Sequence, residues 1–260
     1  MRNGWREPSR LAVGGSTLAA VVVLWYLATT FTQIIPPVYF PTPAEVLQAF
    51  RQITVQGYAD GQLQQHFLHS CWLVLMGFAA AVGLGVPLGM LMGWSRRAEA
   101  LINPVFLLLR PIPPLAWIPL AIVWLGLGDA AKVLVIWFAA FVPAVINSYA
   151  GVRSIEPYLI EAARSLGIRG AMLVREVLFP GALPLIFTGL RLSLQACWTT
   201  LVAAELIGAI VGLGHVLYQA GLDLFPAMIV VGMIGVAIAG GLMTTALGRL
   251  EAWSMPWHRR

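Results

Sequence analysis

Six long apolar runs divide this 260-residue sequence, and their lengths suit helices that cross a lipid bilayer. About 20 apolar residues in a helix span the hydrocarbon core. Only 10% of the residues are charged, whereas about 25% are charged in an ordinary soluble domain. The pattern predicts an all-α integral membrane protein with about six transmembrane helices, over residues 11–30, 67–93, 101–125, 133–149, 185–211 and 226–247.

The first apolar run resembles a signal peptide at its start but not in its length. Arg2, Arg6 and Arg10 precede it, yet it is longer than the apolar core of a signal peptide and further spans follow. We therefore expect an uncleaved first span. The connection after it is rich in proline and predicts a short amphipathic helix from about Ala44.

The basic residues predict the orientation of the spans. Twelve of the 16 Lys and Arg residues lie at the two termini, between spans two and three, or between spans four and five. Short cytoplasmic loops are rich in Lys and Arg, so both termini are expected in the cytoplasm. The opposite side holds only Arg51 and Lys132.

Span two carries a small residue at every fourth position. Small side chains let helix backbones approach closely in a membrane, so the stripe favours helix packing. A glycine-lined transport path is the alternative interpretation. The stripe consists of Gly77, Ala81, Gly85, Gly89 and Gly93.

Span three contains a cluster of prolines beside an arginine. Pro111, Pro113 and Pro114 remove backbone donors and clash with the preceding turn, which predicts a broken or kinked helix near Arg110. Irregular backbone at membrane depth is tolerated inside protein or beside a cavity. The break therefore serves either packing or a pathway.

Polar and ionisable residues in the spans are candidates for lining a pathway, because charges are costly in hydrocarbon. Arg191 has a second interpretation, in which it extends to the cytoplasmic surface. Glu205 has one too, as half of a structural ion pair. The candidates are Arg110, Pro113, Trp117, Arg191, Trp198, Thr199, Thr200 and Glu205.

Several functional classes lack their signatures in this sequence. There is no phosphate-binding loop, no H-E-x-x-H and no His/Cys cluster with metal-ligand spacing, so we expect no catalytic, cofactor or metal site. The net charge of +5 comes from residues between apolar runs, which argues against nucleic acid. Cys71 and Cys197 are expected as buried free thiols, and His66 and His69 at the membrane interface.

The stretch between spans four and five concentrates charge in an otherwise apolar chain. Pro157 suits the first turn of a helix, and Gly167 suits its end. A second helix is expected from about Gly170 to Phe179, ended by Pro180 and Pro184. The resulting hairpin either docks another protein or rests on lipid headgroups.

The letters "EAARSLG", nine residues and then "VLFP" are similar to the EAA loop of binding-protein-dependent ABC importer permeases. Glu161, Ala162, Ala163, Gly167 and Pro180 match that motif. Two nearby residues depart conservatively from it, Val177 and Phe179. The resemblance implies an ATPase-coupling helix that includes these residues and Arg164.

The resemblance extends over residues 11–257. Residues 110–128 and 179–209 look like the branch that imports taurine, alkanesulfonates, nitrate and bicarbonate. It implies a type I importer core, with a single permease domain over 1–260 and a coupling loop at about 150–184.

The family also implies partners, location and cargo. These are a second permease copy, two ATP-binding subunits that bind ATP and Mg²⁺, a periplasmic binding protein, and the bacterial inner membrane. A small sulfonate, taurine first, is the expected cargo, with nitrate, bicarbonate or an aromatic sulfonate as alternatives.

A secondary transporter driven by an ion gradient is a more distant alternative. It should show paired interrupted helices with membrane-embedded carboxylates in corresponding halves. Only Glu205 fits that description. An intramembrane protease would need a Ser/His/Asp or His/Glu constellation, which the sequence lacks.

Overall fold

The computed structural model describes residues 10–32, 36, 39–206 and 208–258, and helices account for most of them. Arg2, Arg6, Arg259 and Arg260, which contribute to the predicted orientation, lie outside this part of the chain. So do residues 33–35 and 37–38 of the proline-rich connection. The helices are α1 Arg10–Tyr26, α2 Pro43–Val55, α3 Leu63–Trp94, α4 Arg96–Leu109, α5 Ile118–Leu125, α6 Asp129–Arg153, α7 Pro157–Ser165, α8 Ala171–Leu173, α9 Phe179–Glu205, α10 Leu213–Leu222 and α11 Pro226–Ser254.

Five helical segments in the described chain are long and apolar enough to cross a membrane, and a bent pair makes a sixth. That pair is α4 with Pro114–Leu125, joined at an angle of 85°. The break follows Leu109 and coincides with the proline cluster, where backbone donors are missing. The predicted break near Arg110 is confirmed, and so is the estimate of about six spans.

The small residues of α3 pack against α6. A Cβ added at Gly77 would lie 2.5 Å from Cγ2 of Ile136, and one at Gly89 would lie 2.3 Å from the Val145 carbonyl oxygen. Gly93 faces Val152 in the same way. The stripe therefore lets two backbones approach closely along most of their length, which confirms the packing interpretation.

Helix α9 also packs against α6. Gly189 leaves no room for a Cβ beside Asn147, and the Ser193 hydroxyl donates to the Ala140 carbonyl at 2.7 Å. The main buried cluster is formed chiefly by α3, α6 and α9. These three helices are the frame that holds the two ends of the molecule in place.

The segment before α9 differs from the sequence-based expectation. Pro180 and Pro184 do not end a helix, because residues 171–205 form one helical segment. A π-helical turn, Val174–Leu178, precedes α9, and Pro180 falls in the first turn of α9 where its missing N–H is tolerated. Pro184 lies inside α9, whose helix continues through it.

The predicted amphipathic helix is α2, which starts at Pro43 with a capping box between Thr42 and Glu45. It packs against α10 and α11 in a second cluster that includes Ile53, Val216 and Met228. This cluster lies at the end of the bundle opposite α7, where α3 and α11 begin and α9 ends. We call the two ends the α7 end and the α10 end.

Candidate functional site

The loop at the α7 end has the geometry expected of a helix that stops sharply. Pro157 occupies the first turn of α7. At its other end Gly167 has φ +84°, and the Gly167 and Ile168 amides donate to the carbonyls of Arg164 and Ala163, both at 3.0 Å. This is a Schellman termination, which favours glycine because other residues rarely adopt that conformation.

Helix α7 divides the predicted coupling residues between two faces. Glu161, Ala162 and Arg164 are exposed, and neither charged side chain has an ion pair or hydrogen bond among the described residues. Ala163 is 6% exposed and belongs to the same buried cluster as Leu173. Of the predicted coupling residues on α7, Ala163 therefore does not lie on the open surface, because its methyl group packs inward.

Apolar side chains extend the exposed side of α7. Tyr158, Leu159 and Leu166 are 61%, 45% and 81% exposed. A surface with unpaired charges and exposed apolar groups is suited to a protein contact. We call this surface the α7 face and define it by Tyr158, Leu159, Glu161, Ala162, Arg164 and Leu166.

Polar pairs brace the structure at this end. The Tyr149 hydroxyl donates to Oε1 of Glu99 at 2.5 Å, and Arg153 forms an ion pair with the same carboxylate. These contacts tie the start of α4 to the last turns of α6, immediately before the loop. The loop therefore leaves from a fixed helix end.

The pathway candidates on α9 do not share one face. Arg191 and Thr199 are exposed, whereas Trp198, Thr200 and Glu205 are buried at 6%, 5% and 0%. Thr188 and Gln195 are also exposed and polar. Together with Arg191 and Thr199 they form a stripe at helical spacing along α9. We call Thr188, Arg191, Gln195 and Thr199 the α9 polar stripe.

Arg191 has a partner on α11. Its guanidinium forms an ion pair with Glu251, close to the end of α11 that lies at the α7 end. The side chain remains 52% exposed. The pair fits both interpretations of Arg191, because it lies near the end of the bundle and on the polar stripe.

Glu205 is part of a buried hydrogen-bond network at the α10 end. Its carboxylate accepts from the Ser70 hydroxyl at 2.8 Å and from the Gly214 amide at 2.7 Å. The Leu213 amide donates to Ser70, and the Gly212 amide donates to Nδ1 of His66. These bonds satisfy the free N–H groups at the start of α10 with a negative charge beside them, which is favourable there.

The network corrects one interpretation of Glu205, because this residue caps a helix and has no ion pair among the described residues. His66, at the start of α3, is fully buried within the protein. His69 is partly exposed, and its Nε2 lies 2.9 Å from Oδ2 of Asp129.

Gly212 has φ +147°, and a Cβ there would lie 2.2 Å from Glu205 Oε1. Sequence reasoning missed Ser70, which has no local signal. It also missed Gly212, whose only local signal is that Gly212 and Gly214 flank Leu213 at the start of α10.

Tyr58 extends this network to Asp223, at the C-terminal end of α10. The Tyr58 hydroxyl donates to Oδ2 of Asp223, and its carbonyl lies 3.0 Å from Nε2 of His66. Burial, followed by the hydrogen bond to Asp223, raises the pKa of Tyr58 well above its ordinary value. The hydroxyl therefore stays protonated and keeps donating at any physiological pH.

A cavity of about 240 Å³ lies at the break between α4 and α5. Arg110 and Trp117 line it together with aromatic residues of α6. Trp117 stacks on Phe138 with ring centroids 4.1 Å apart, and Trp137 stacks on Phe141 at 4.9 Å. Pro113 is exposed beside the cavity.

Among the described residues no group of His, Cys, Asp or Glu could hold a metal ion, and both cysteines are free thiols.

A model of the binding-protein-dependent transport system inner membrane component family matches residues 85–260, from within α3 through the α7 loop to the end of the chain. The chain belongs to this family. The chain is 38% identical to the taurine transport system permease protein of Escherichia coli K12, over 98% of this chain and 93% of that one. It is an ABC transporter permease and a multi-pass inner-membrane protein.

Two other relatives place it in the same branch. A putative aliphatic sulfonates transport permease protein of Bacillus subtilis is 32% identical over 97% of this chain and 91% of the relative. A nitrate import permease protein of Synechocystis is 32% identical over 85% and 82%. The chain is therefore a permease of the taurine, sulfonate and nitrate branch, and the alternative of an ion-gradient-driven secondary transporter is wrong.

Proposed function

We propose that this chain forms the transmembrane path of an ATP-driven importer for a small sulfonate, with taurine as the first candidate. A periplasmic binding protein delivers the substrate, and two separate ATPase subunits bind ATP and Mg²⁺. Residues 1–260 act as a single permease domain without catalytic residues of its own. Two copies of the chain form the core of the complex.

The α9 polar stripe is the observation that carries this proposal. Thr188, Arg191, Gln195 and Thr199 face outward from the single chain, and the Gln195 amide has no partner among the described residues. Such groups are costly against lipid. A second copy of the chain facing this stripe would shield the polar groups from lipid. The hydrated space between the two copies would then be a transport path lined by the stripe.

The α7 face supports the coupling role. Its exposed charges, Glu161 and Arg164, lack partners within the described chain, and Gly167 holds the turn that presents them. The buried Ala163 ties α7 to the cluster that contains α9 residues. A push on the α7 face can therefore reach the helix that carries the polar stripe.

The orientation follows from the charge pattern, with both termini and the α7 end in the cytoplasm. Reporter fusions after Arg97 and Arg169 should report the cytoplasm, and a fusion near Gln56 should report the outside. A cytoplasmic signal near Gln56 would overturn this topology and place the α7 face on the wrong side for an ATPase.

Growth distinguishes sulfonate from the other anions. A strain that lacks this gene should fail to grow with taurine as sole sulfur source and should grow normally on sulfate. Normal growth on taurine together with lost nitrate uptake would favour the alternative cargo, to which the 32% identity with the nitrate permease protein points. If the strain instead loses uptake of bicarbonate or of an aromatic sulfonate, that anion would be the cargo.

A further inference from the structure

An ion pair joins α9 to α11 on the α9 polar stripe. The Nη2 group of Arg191 donates to Oε2 of Glu251. Across the described lengths of the two helices, Arg191 is the only basic residue of α9, and Glu251 is the only acidic residue of α11. The stripe therefore carries its charge at one position, and that charge is held by one carboxylate.

The pair lies at membrane depth. At ~1.5 Å per residue, Arg191 is ~21 Å along α9 from Glu205, where that helix ends. The apolar core of a bilayer is ~30 Å thick, so the pair lies in the half nearer the α7 end. The Arg191 side chain is still 52% exposed, so Glu251 does not enclose it. A charge at this depth that remains open calls for an aqueous space beside it.

The guanidinium keeps donors that Glu251 does not use. Arginine has five N–H donors in a planar fork, and only Nη2 has an acceptor within the described part of the chain. Gln195 lies one helical turn away on the same face, about 5–6 Å between Cβ atoms, and its amide also lacks a partner there. Two exposed sets of free donors thus lie side by side on the stripe.

The Glu251 carboxylate indicates which class of group these donors bind. A carboxylate and a sulfonate are both oxyanions, and the guanidinium fork suits oxygen atoms arranged in this way. An exposed ion pair contributes little free energy, so a second anion can displace the carboxylate. Its return then helps to release the substrate, and a path needs binding weak enough for the substrate to leave.

We propose that Arg191 recognises the sulfonate in the path, and that Glu251 occupies the guanidinium while no substrate is bound. The sulfonate oxygens accept from Arg191 and from the neighbouring Gln195 amide, and the carboxylate is released. Glu251 is thus an internal competitor of the substrate. This inference rests on the proposed function, because its ligand is the transported anion.

The first test measures taurine binding to the purified complex of permease and ATPase subunits, without the binding protein, by isothermal titration. Arg191→Gln should weaken binding by about tenfold, the usual effect of losing a hydrogen bond to a charged group. Glu251→Gln should tighten binding by about twofold to fivefold, the size expected for an exposed ion pair. Arg249→Gln is the matched control, because it removes an exposed cation of α11 that has no ion pair among the described residues.

The opposite signs are the decisive result, since both single variants break the same ion pair. A merely structural pair predicts shifts in the same direction or none. Either of these outcomes, or undetectable binding by both the wild type and Glu251→Gln, would overturn the inference.

A second test guards against variants that simply fold poorly. The double variant Arg191→Glu with Glu251→Arg keeps an ion pair but puts a carboxylate on the stripe. In proteoliposomes with the ATPase subunits and the binding protein, it should keep the wild-type unfolding temperature and lose at least about tenfold in taurine uptake. Wild-type uptake by the double variant would contradict recognition by Arg191. A wild-type complex that imports no taurine would instead refute the proposed cargo, so the two failures are distinguishable.

Discussion

At the residue scale, single positions decide how each end of the molecule is built. Gly167 has φ +84° with open space around its missing Cβ, so its requirement is purely a matter of backbone conformation. Gly212 combines a positive φ with a carboxylate 2.2 Å from where a Cβ would lie. One glycine is needed for the turn, and the other for both the turn and the space.

Replacing Gly167 should damage coupling through the backbone alone. Gly167→Leu forces a side chain into a left-handed conformation at a cost of about 1–2 kcal/mol. It should abolish uptake while the protein remains in the membrane. Gly167→Asn is the matched control, because asparagine tolerates this conformation, and it should keep most of the uptake. Equal uptake by the Leu and Asn variants would show that the turn conformation is not required.

Glu205 should matter for stability rather than for charge compensation. Glu205→Gln introduces an amide N–H₂ where Ser70 and Gly214 already donate, so one buried donor is left unpaired. The expected loss is about 1–3 kcal/mol of unfolding free energy. Thermal unfolding of the purified protein measures it, with the exposed Glu156→Gln as control. An unchanged unfolding temperature for Glu205→Gln would contradict the capping role.

At the element scale, the sequence predicts the spans and the break between α4 and α5. It does not predict which residues pack against one another or how the chain enters α9. The apolar runs predicted the long helices, and the prolines after Arg110 predicted the 85° break. The expected end at Pro180 was wrong because the π-helical turn before it lets the helical segment continue. The inward side of Ala163 and the Ser70–Glu205 bond depend on tertiary packing, and the latter joins residues 135 positions apart. No local pattern carries such information.

The α3–α6 contact offers a test with a control on the same helix. Gly89→Ala puts a methyl group 2.3 Å from a backbone oxygen of α6, which must force the two helices apart. Gly83→Ala meets nothing within 4 Å and should be neutral or stabilising by up to about 1 kcal/mol. Thermal unfolding and membrane yield should fall for Gly89→Ala only. Equal behaviour of the two variants would contradict the packing role of the stripe.

At the scale of the whole molecule, one bundle carries three distinct features. The α7 face lies at one end, the Glu205 network lies at the other, and the α9 polar stripe runs between them. Helix α9 links all three, since it follows the loop directly and ends at Glu205. This arrangement suits a subunit that converts contact at one end into opening along its length.

Crosslinking distinguishes the two faces of α7. A cysteine at the exposed Ala162 should crosslink to the ATPase subunit, whereas a cysteine at the buried Ala163 should not. Crosslinking of isolated membranes followed by gel electrophoresis reads this directly. Efficient crosslinking from Ala163 with none from Ala162 would show that the α7 face is not the docking surface.

The most direct measurement of the central claim is taurine uptake into proteoliposomes that contain two copies of this chain, the ATPase subunits and the binding protein. Uptake should require Mg²⁺ and ATP and the binding protein, should be indifferent to an imposed ion gradient, and should be lost with Glu161→Lys, which reverses a charge on the α7 face. Uptake that proceeds without ATP, or that survives Glu161→Lys unchanged, would contradict ATP-driven transport coupled through this surface.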